Sequence, residues 1–178
     1  DNVFREHSTA NPGTSGDNMK TVIGNSSLFM VGAHIDHDCI IGDKVIMANN
    51  ASVAGHVVVG DYANFGGYSG VPQFRSIGEN THIAAMSLVT KDVPAFMTVA
   101  GNPASAVGLN LEGMRRRDFS TDALAALKES HKIVYRSGLT KNKALNQLAG
   151  LRSKYSEVEK FARSIESSES GIVRGRSH

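Results

Sequence analysis

Apolar residues recur along the first half of the chain with a period of six. Stepping by six from Ile23, the positions are Ile23, Phe29, Ile35, Ile41, Met47, Val53, Val59, Phe65, Val71, Ile77, Ile83 and Val89, apolar without exception in a chain whose overall apolar content is 40%. Two residues before each lies a second series, Thr21, Ser27, Ala33, Cys39, Val45, Ala51, Val57, Ala63, Ser69, Arg75, Thr81 and Ser87, small or β-branched except for Arg75. Glycine or alanine often follows the large residue, as at Gly24, Gly42 and Gly60, where a tight corner favours little side chain. Each six-residue unit therefore reads as a short strand and a bend. Alternation along a strand sends both series to one side. Three strands then close a triangular coil of eighteen residues, and stacked coils make a parallel β-helix. Ordinary sandwich strands would need turn clusters of irregular length, and none interrupts Ile23 to Val89. Val3 and Thr9 predict a further coil upstream, with Asn11 to Lys20 as an outward loop.

The period ends at Lys91-Asp92-Val93-Pro94, and Gly101-Asn102-Pro103 marks a second break, which divides the chain into a β-helix over 1–103 and a helical region over 104–178. A helical segment is expected near Val107 to Arg117. Ser120 can cap a helix bearing Leu124, Leu127, His131, Val134 and Tyr135, ended by Ser137-Gly138. Thr140 and Ser156 can cap two more, carrying Ala144, Leu145, Leu148 and Leu151, and Val158, Phe161, Ala162 and Ile165. These apolar stripes need a surface to cover, either the end of the prism or a neighbouring subunit.

Composition narrows the function classes. A net charge of +2 over 178 residues gives no case for nucleic acid, and no apolar run is long enough to span a bilayer. The start lacks the basic and apolar segments of a signal peptide, so a cytoplasmic protein is expected. The single cysteine, Cys39, falls in the inward small series and reads as core rather than nucleophile. Basic residues gather late, at Arg115-Arg116-Arg117 and at Lys128, Lys132 and Arg136, which suits an acidic partner or a phosphate and equally a solvated helix face.

Four stretches carry a family resemblance: Val31–Gly42 (VGAHIDHDCIIG), Ala48–His56 (ANNASVAGH), Asn110–Arg117 (NLEGMRRR) and Ile133–Gly138 (IVYRSG). Over nearly its whole length the chain resembles the UDP-N-acetylglucosamine O-acyltransferases that begin lipid A synthesis. The resemblance implies a left-handed coil, a cytoplasmic homotrimer with sites between adjacent prisms, and no cofactor. It also implies transfer of a 3-hydroxyacyl chain from the phosphopantetheine thioester of acyl carrier protein to the 3-hydroxyl of the nucleotide sugar. His37 matches the family's general base, with Asp38 beside it to orient the imidazole, and Gly55 matches the backbone N–H offered to the oxyanion. His34 and Gln73 match residues near the sugar. Asn110, Glu112, Arg116 and Arg117 match the nucleotide end, where a guanidinium fork suits a diphosphate.

The repeat's phase agrees in placing His34 and His37 outside and Cys39 inside. Outward histidines on a β-helix can also be merely solvated or held in an interface. A zinc site of His34, His37 and His56 is the metal alternative, but the flanking residues fit the acyltransferase motif better, so no metal is expected. Departures from the family pattern bear on substrate. Pro72 stands where a histidine usually precedes Gln73, and Asn11-Pro12 where His-Arg usually precedes Gly-Thr. Ala85 and Leu88 replace common glycines along the acyl path, which predicts a shorter or altered acyl group. Family chains carry further coils before the position of Asp1, so a fragment is expected. The alternatives are acyl transfer to another nucleotide sugar, to oxygen or nitrogen, and a trimeric scaffold whose catalysis has lapsed.

Overall fold

The computed structural model describes residues 1–15 and 19–175. Two-residue strands stack in parallel to make three faces of a prism. Face A carries Val3–Phe4, Leu28–Phe29, Ile46–Met47, Asn64–Phe65 and His82–Ile83. Face B carries Thr9–Ala10, His34–Ile35, Ser52–Val53 and Gly70–Val71. Face C carries Val22–Ile23, Ile40–Ile41, Val58–Val59 and Ser76–Ile77. Pairs such as Ile46↔Asn64 and Ser52↔Gly70 are eighteen residues apart, the coil length set by three six-residue units.

The two inward series make the core. From Phe29 to Val89 every large position is at most 3% exposed, and each such side chain contributes about 1.5–3 kcal/mol by leaving water. Among the first coil's strands, Val3–Phe4 and Thr9–Ala10 pair with the second coil at an offset of twenty-five, as Val3↔Leu28 and Thr9↔His34. The seven extra residues form the outward loop after Thr9; residues 16–18 of it lie outside the described residues.

The corners show why small residues follow the large ones. Positive φ is found not at the glycines after the large residues but about two residues later, on Ser26, Asp38, Lys44, His56, Tyr62, Phe74 and their counterparts. Glycine at the earlier position answers close approach instead. A Cβ on Gly42 would lie 2.4 Å from the Asp61 carboxylate and 2.8 Å from its backbone nitrogen.

The prism also outlasts its sequence period. Val93 bridges Ile77 and Met97–Ala100 pairs with His82–Ile83, both at an offset of sixteen. A coil two residues short still stacks, but it breaks the phase that the sequence reveals. Face A then continues across Pro103, because Ser105–Leu109 folds back antiparallel on Met97–Ala100. The segment expected to be helical from Val107 is therefore strand to Leu109, and the helix α1 is confined to Leu111–Arg115.

Beyond it, α2 (Thr121–Arg136) begins at Ser120, whose hydroxyl accepts the Ala123 N–H at 3.1 Å. The helices α3 (Lys141–Gln147), α4 (Ala149–Arg152) and α5 (Ser156–Glu166) follow. Thr140 occupies the cap position of α3 without a side-chain bond, and Ser156 is the first residue of α5 rather than its cap, which is Tyr155. Leu127, Leu148, Val158, Phe161 and Ala162 are fully buried and join the core cluster. The chain finally returns to the prism, where the Val173 N–H donates to the Asp92 carbonyl at 2.9 Å.

Candidate functional site

The corner between faces B and C stacks three copies of one turn. His37 lies in the lowest, and the eighteen-residue register sets Gly55 over it and Gln73 over Gly55; the next column holds Asp38, His56 and Phe74. Backbone bonds fix the stack, His56 N–H to His37 C=O at 3.0 Å and Phe74 N–H to Gly55 C=O at 3.2 Å. Asp38, His56 and Phe74 all have φ near +60°, with 57°, 59° and 60°, a conformation that costs a residue with a Cβ about 1–2 kcal/mol.

At Asp38 that cost is offset locally. Its side chain is wholly covered, and its oxygens accept the Thr14 hydroxyl at 2.7 Å, the Thr14 N–H at 3.0 and 3.1 Å, and lie 3.0 Å from His37 Nδ1. The Thr14 hydroxyl, more than His37, holds the carboxyl below the usual carboxylate range, against the opposing effect of desolvation. An ionised carboxylate can only accept. His37 Nδ1 must then donate, which leaves Nε2 as the ring's free acceptor on a side chain 27% exposed. Thr14, supplied by the outward loop, was not foreseen: the enlarged first coil brings it against Asp38, twenty-four residues on, and nothing in its own spacing signals that.

Gly55 is buried and abuts the imidazole. A Cβ there would fall 2.5 Å from His37 Cε1 and 2.7 Å from Nε2. Among the described residues no acceptor takes the Gly55 N–H. A base with a defined tautomer thus stands beside an available backbone donor, which is the pairing that acyl transfer needs.

Around this pair, His34 sits half-buried on the outside of face B with Nδ1 2.7 Å from the Thr9 hydroxyl. Gln73 is exposed at the corner. Asp36 accepts the Asn11 amide at 2.9 Å and the His37 N–H at 2.8 Å. Desolvation opposes its ionisation, yet these donors keep its carboxyl below the usual range. Two aromatic contacts also escape a reading of motifs alone. The His56 ring packs edge-on to His37 at 5.1 Å, and Phe74 stacks on His56 at 4.6 Å; the second pair is one coil of eighteen residues apart, and the first is its diagonal neighbour at nineteen.

The three histidines of the zinc alternative do not converge. The group whose ligand atoms lie within 4.8 Å of one another is His37, Asp38 and His56. Within it, Asp38 and His37 Nδ1 already engage each other and Thr14, an arrangement suited to orienting a base. Cys39 is core: its Sγ lies 3.1 Å from the Ala54 carbonyl, and burial pushes the thiol up.

A second site lies along face A and the corner between faces C and A, where α1 forms one wall of a groove of about 620 Å³. Leu28, Ile46, Asn64 and His82 floor it, and Lys44, Tyr62, Asn110, Glu112, Arg116 and Arg117 rim it. Asn110 builds the wall: Oδ1 caps α1 by accepting the Gly113 N–H at 3.0 Å, and Nδ2 donates to the Asn80 carbonyl at 2.9 Å. Arg117 braces it, donating to the Gly113 carbonyl at 2.8 Å with its guanidinium 4.6 Å from the Tyr62 ring centre, and burial lowers its pKa. Arg116 pairs with Glu112 at 2.9 Å in the open.

Within one chain, then, His37, Asp38, Gly55 and Gln73 share one edge of the prism, while Asn110, Glu112, Arg116 and Arg117 share another across face C. Ala85 is exposed at the corner between faces A and B. Leu88 projects from face B, bridged to Gly70 at the top of the column His34–Ser52–Gly70. On α2, Lys128, His131, Lys132 and Arg136 line a smaller pocket of about 280 Å³ with Leu109 and Leu111. Among the described residues no helix is long and apolar enough to cross a membrane.

Residues 92–173 match the family model for UDP-N-acetylglucosamine O-acyltransferase, domain 2. The acyl-[acyl-carrier-protein]–UDP-N-acetylglucosamine O-acyltransferase of Ectopseudomonas mendocina is 47% identical over 173 residues, 97% of this chain and 67% of that protein. LpxA from Acinetobacter baumannii superposes with a TM-score of 0.94 at 45% identity, over 97% of this chain and 67% of its own. The Francisella novicida UDP-N-acetylglucosamine acyltransferase superposes with 0.96 at 34% identity, over 99% and 64%.

Proposed function

The chain belongs to the UDP-N-acetylglucosamine O-acyltransferase family, and from that premise we propose that it moves a 3-hydroxyacyl chain from acyl carrier protein to the 3-hydroxyl of UDP-N-acetylglucosamine, the opening step of lipid A synthesis. The observation that carries the mechanism is the Thr14–Asp38–His37 relay beside Gly55. His37 Nε2 takes the hydroxyl proton as the sugar oxygen attacks the thioester carbonyl carbon. The carbonyl oxygen becomes an oxyanion facing the Gly55 N–H. Collapse of the adduct breaks the carbon–sulfur bond, and the departing thiolate recovers the proton from His37. Every group needed is on the protein or in the two substrates, so the reaction calls on no cofactor; the phosphopantetheine thioester is itself the donor.

The nucleotide occupies the groove below α1, with Asn110, Glu112 and Arg116 toward it and Arg117 bracing the wall. His34 and Gln73 flank the sugar. Since groove and corner lie on different edges of one prism, a complete site requires a neighbouring copy, and a homotrimer supplies one at each of three interfaces. The outward residues of face C, Val22, Ile40 and Val58, are about 40–46% exposed and form an apolar column suited to such a contact. The acyl chain runs up face B over Ser52 and Gly70 until Leu88 and Ala85 limit it. The basic side chains of α2 receive the acidic carrier protein. A cytoplasmic location accords with these substrates.

Mixing subunits tests this reading. His37→Ala and Arg116→Ala proteins, each weak alone, are unfolded together and refolded as mixed trimers. Recovery of activity toward the fraction of interfaces that pair an intact corner with an intact groove is expected; no recovery in trimers shown to be mixed would place both residues in one chain's site.

A further inference from the structure

The groove holds a cation that the family motifs do not mark, and it comes from the prism rather than from α1. Lys44 follows the corner between faces C and A at a φ of 55°, and eighteen residues later Tyr62 repeats the conformation at 59°. The stack brings the Lys44 ammonium 2.8 Å from the Tyr62 hydroxyl and 5.0 Å from its ring centre. Tyr62 is in turn covered on its ring by Arg117. The two cations thus share one aromatic ring but not one role.

Arg117 directs two of its five N–H donors to the fold, Nη1 to the Gly113 carbonyl and Nη2 at 3.4 Å from the Tyr62 carbonyl, and its side chain is half-buried. Lys44 is exposed, and of its three N–H groups one is engaged by Tyr62. The nearby acids do not neutralise it by contact. Asp43 accepts the Asn25 N–H at 2.6 Å and Asp61 accepts the Asp43 N–H at 2.8 Å, so both carboxylates are turned onto backbone. Glu112, the acidic residue lining the groove, is engaged by Arg116.

Resting on the nucleotide-sugar reading of this groove, we infer that Lys44, fixed by the Tyr62 hydroxyl, is a diphosphate ligand that faces the phosphates from the prism while Arg116 meets them from α1. A single exposed arginine, paired with Glu112, can satisfy one phosphate. A second cation anchored on the opposite wall gives the groove its preference for two phosphates over one.

Binding of UDP, UMP and uridine to the intact protein and its variants tests the assignment. Lys44→Gln is expected to weaken UDP about tenfold or more, the scale of a charge-assisted hydrogen bond, to weaken UMP less, and to leave uridine within about twofold. Lys44→Arg restores most of the loss, and Tyr62→Phe, which frees the ammonium without removing it, costs UDP roughly two- to threefold. UDP affinity unchanged in Lys44→Gln but lost in Arg116→Ala overturns the role of Lys44 and leaves the groove reading standing. An equal loss for UDP and uridine also overturns it, since the groove itself has then changed shape. Failure of the unsubstituted protein to bind UDP overturns both.

Discussion

The corner at His37 and the groove under α1 are built from the same prism in opposite ways. At the corner the site sits on the coil register: backbone bonds between successive coils hold His37 and Gly55, and the Asp38 carboxylate is sealed from solvent against Thr14 of the outward loop. In the groove the prism supplies one wall and a five-residue helix the other, and the charged side chains that matter stand in water. A rigid, satisfied network suits a step in which a proton must move along a defined path. An open wall of cations suits capture of a charged ligand, where each contact adds affinity and none sets the chemistry. The comparison therefore predicts that corner substitutions lower kcat and groove substitutions raise KM.

The largest effect tests the corner directly. His37→Ala removes the proposed base while leaving the neighbouring backbone donor, so kcat should fall about 10²–10⁴-fold with the KM for nucleotide sugar little changed. Steady-state rates over both substrates measure the split. A loss that resides in KM instead would move His37 from chemistry to binding.

Asp38→Asn comes next, because it leaves His37 in place but removes the charge that fixes its tautomer; a fall of about 10–10²-fold in kcat is expected. The same residue carries a stability signature. Its folded pKa is depressed, chiefly by the Thr14 hydroxyl, so its contribution is present above the ordinary carboxylate pKa and is lost as pH falls through the lower, folded value. Acid unfolding of Asp38→Asn should accordingly be less steep in that window than that of the unsubstituted protein. Equal steepness would mean that the Thr14–Asp38 contact does not persist in solution.

How far these two regions were legible in the sequence follows from the same contrast. The period alone places His37 outside and Cys39 inside, because a register of eighteen leaves no other phase. It could not show that Asp38 is buried, since that depends on a loop seven residues longer than a plain corner folding Thr14 over it. Nor could it show the coil after Val89, which stacks two residues short, or the strand Ser105–Leu109, whose apolar positions pass equally for a helix. In the groove, Asn110 and Arg117 were legible as motif but not as architecture: both are substantially occupied in attaching α1 to the prism. Lys44 and Tyr62 belong to no motif. Their relation is visible only once residues eighteen apart are known to stack.

Along face B, the proposed acyl path, the comparison is sharpened by size rather than charge. Leu88 caps a column whose lower members are Ser52 and Gly70, and a Cβ placed on Gly70 would stand 3.7 Å from Leu88 Cδ1. Leu88→Gly, alone and with Ala85→Gly, should shift the preferred donor toward longer acyl groups, with kcat/KM for the longest rising about tenfold, the scale of one or two methylenes gaining a place in an apolar channel. A series of acyl-carrier-protein thioesters reads this out. A long-chain preference already present and indifferent to both substitutions would show that the path does not cross Leu88.

The smallest effect distinguishes an open groove from a closed one. Glu112 and Arg116 form an exposed i,i+4 pair, a kind of contact that contributes only about 0.3–0.5 kcal/mol to a helix, so Glu112→Gln should leave unfolding within that margin. If the pair serves to hold Arg116 ready for phosphate, losing the carboxylate has two opposed consequences. The guanidinium is released from a competing anion, which favours phosphate, and it loses its fixed position, which disfavours it. The net change in KM for the nucleotide sugar should stay within about threefold, and it should shrink further as salt screens an interaction between exposed charges. A change of tenfold or more that persists at high salt would mean that Glu112 itself contacts the nucleotide through a desolvated hydrogen bond, and that the groove closes on its ligand as tightly as the corner closes on Asp38.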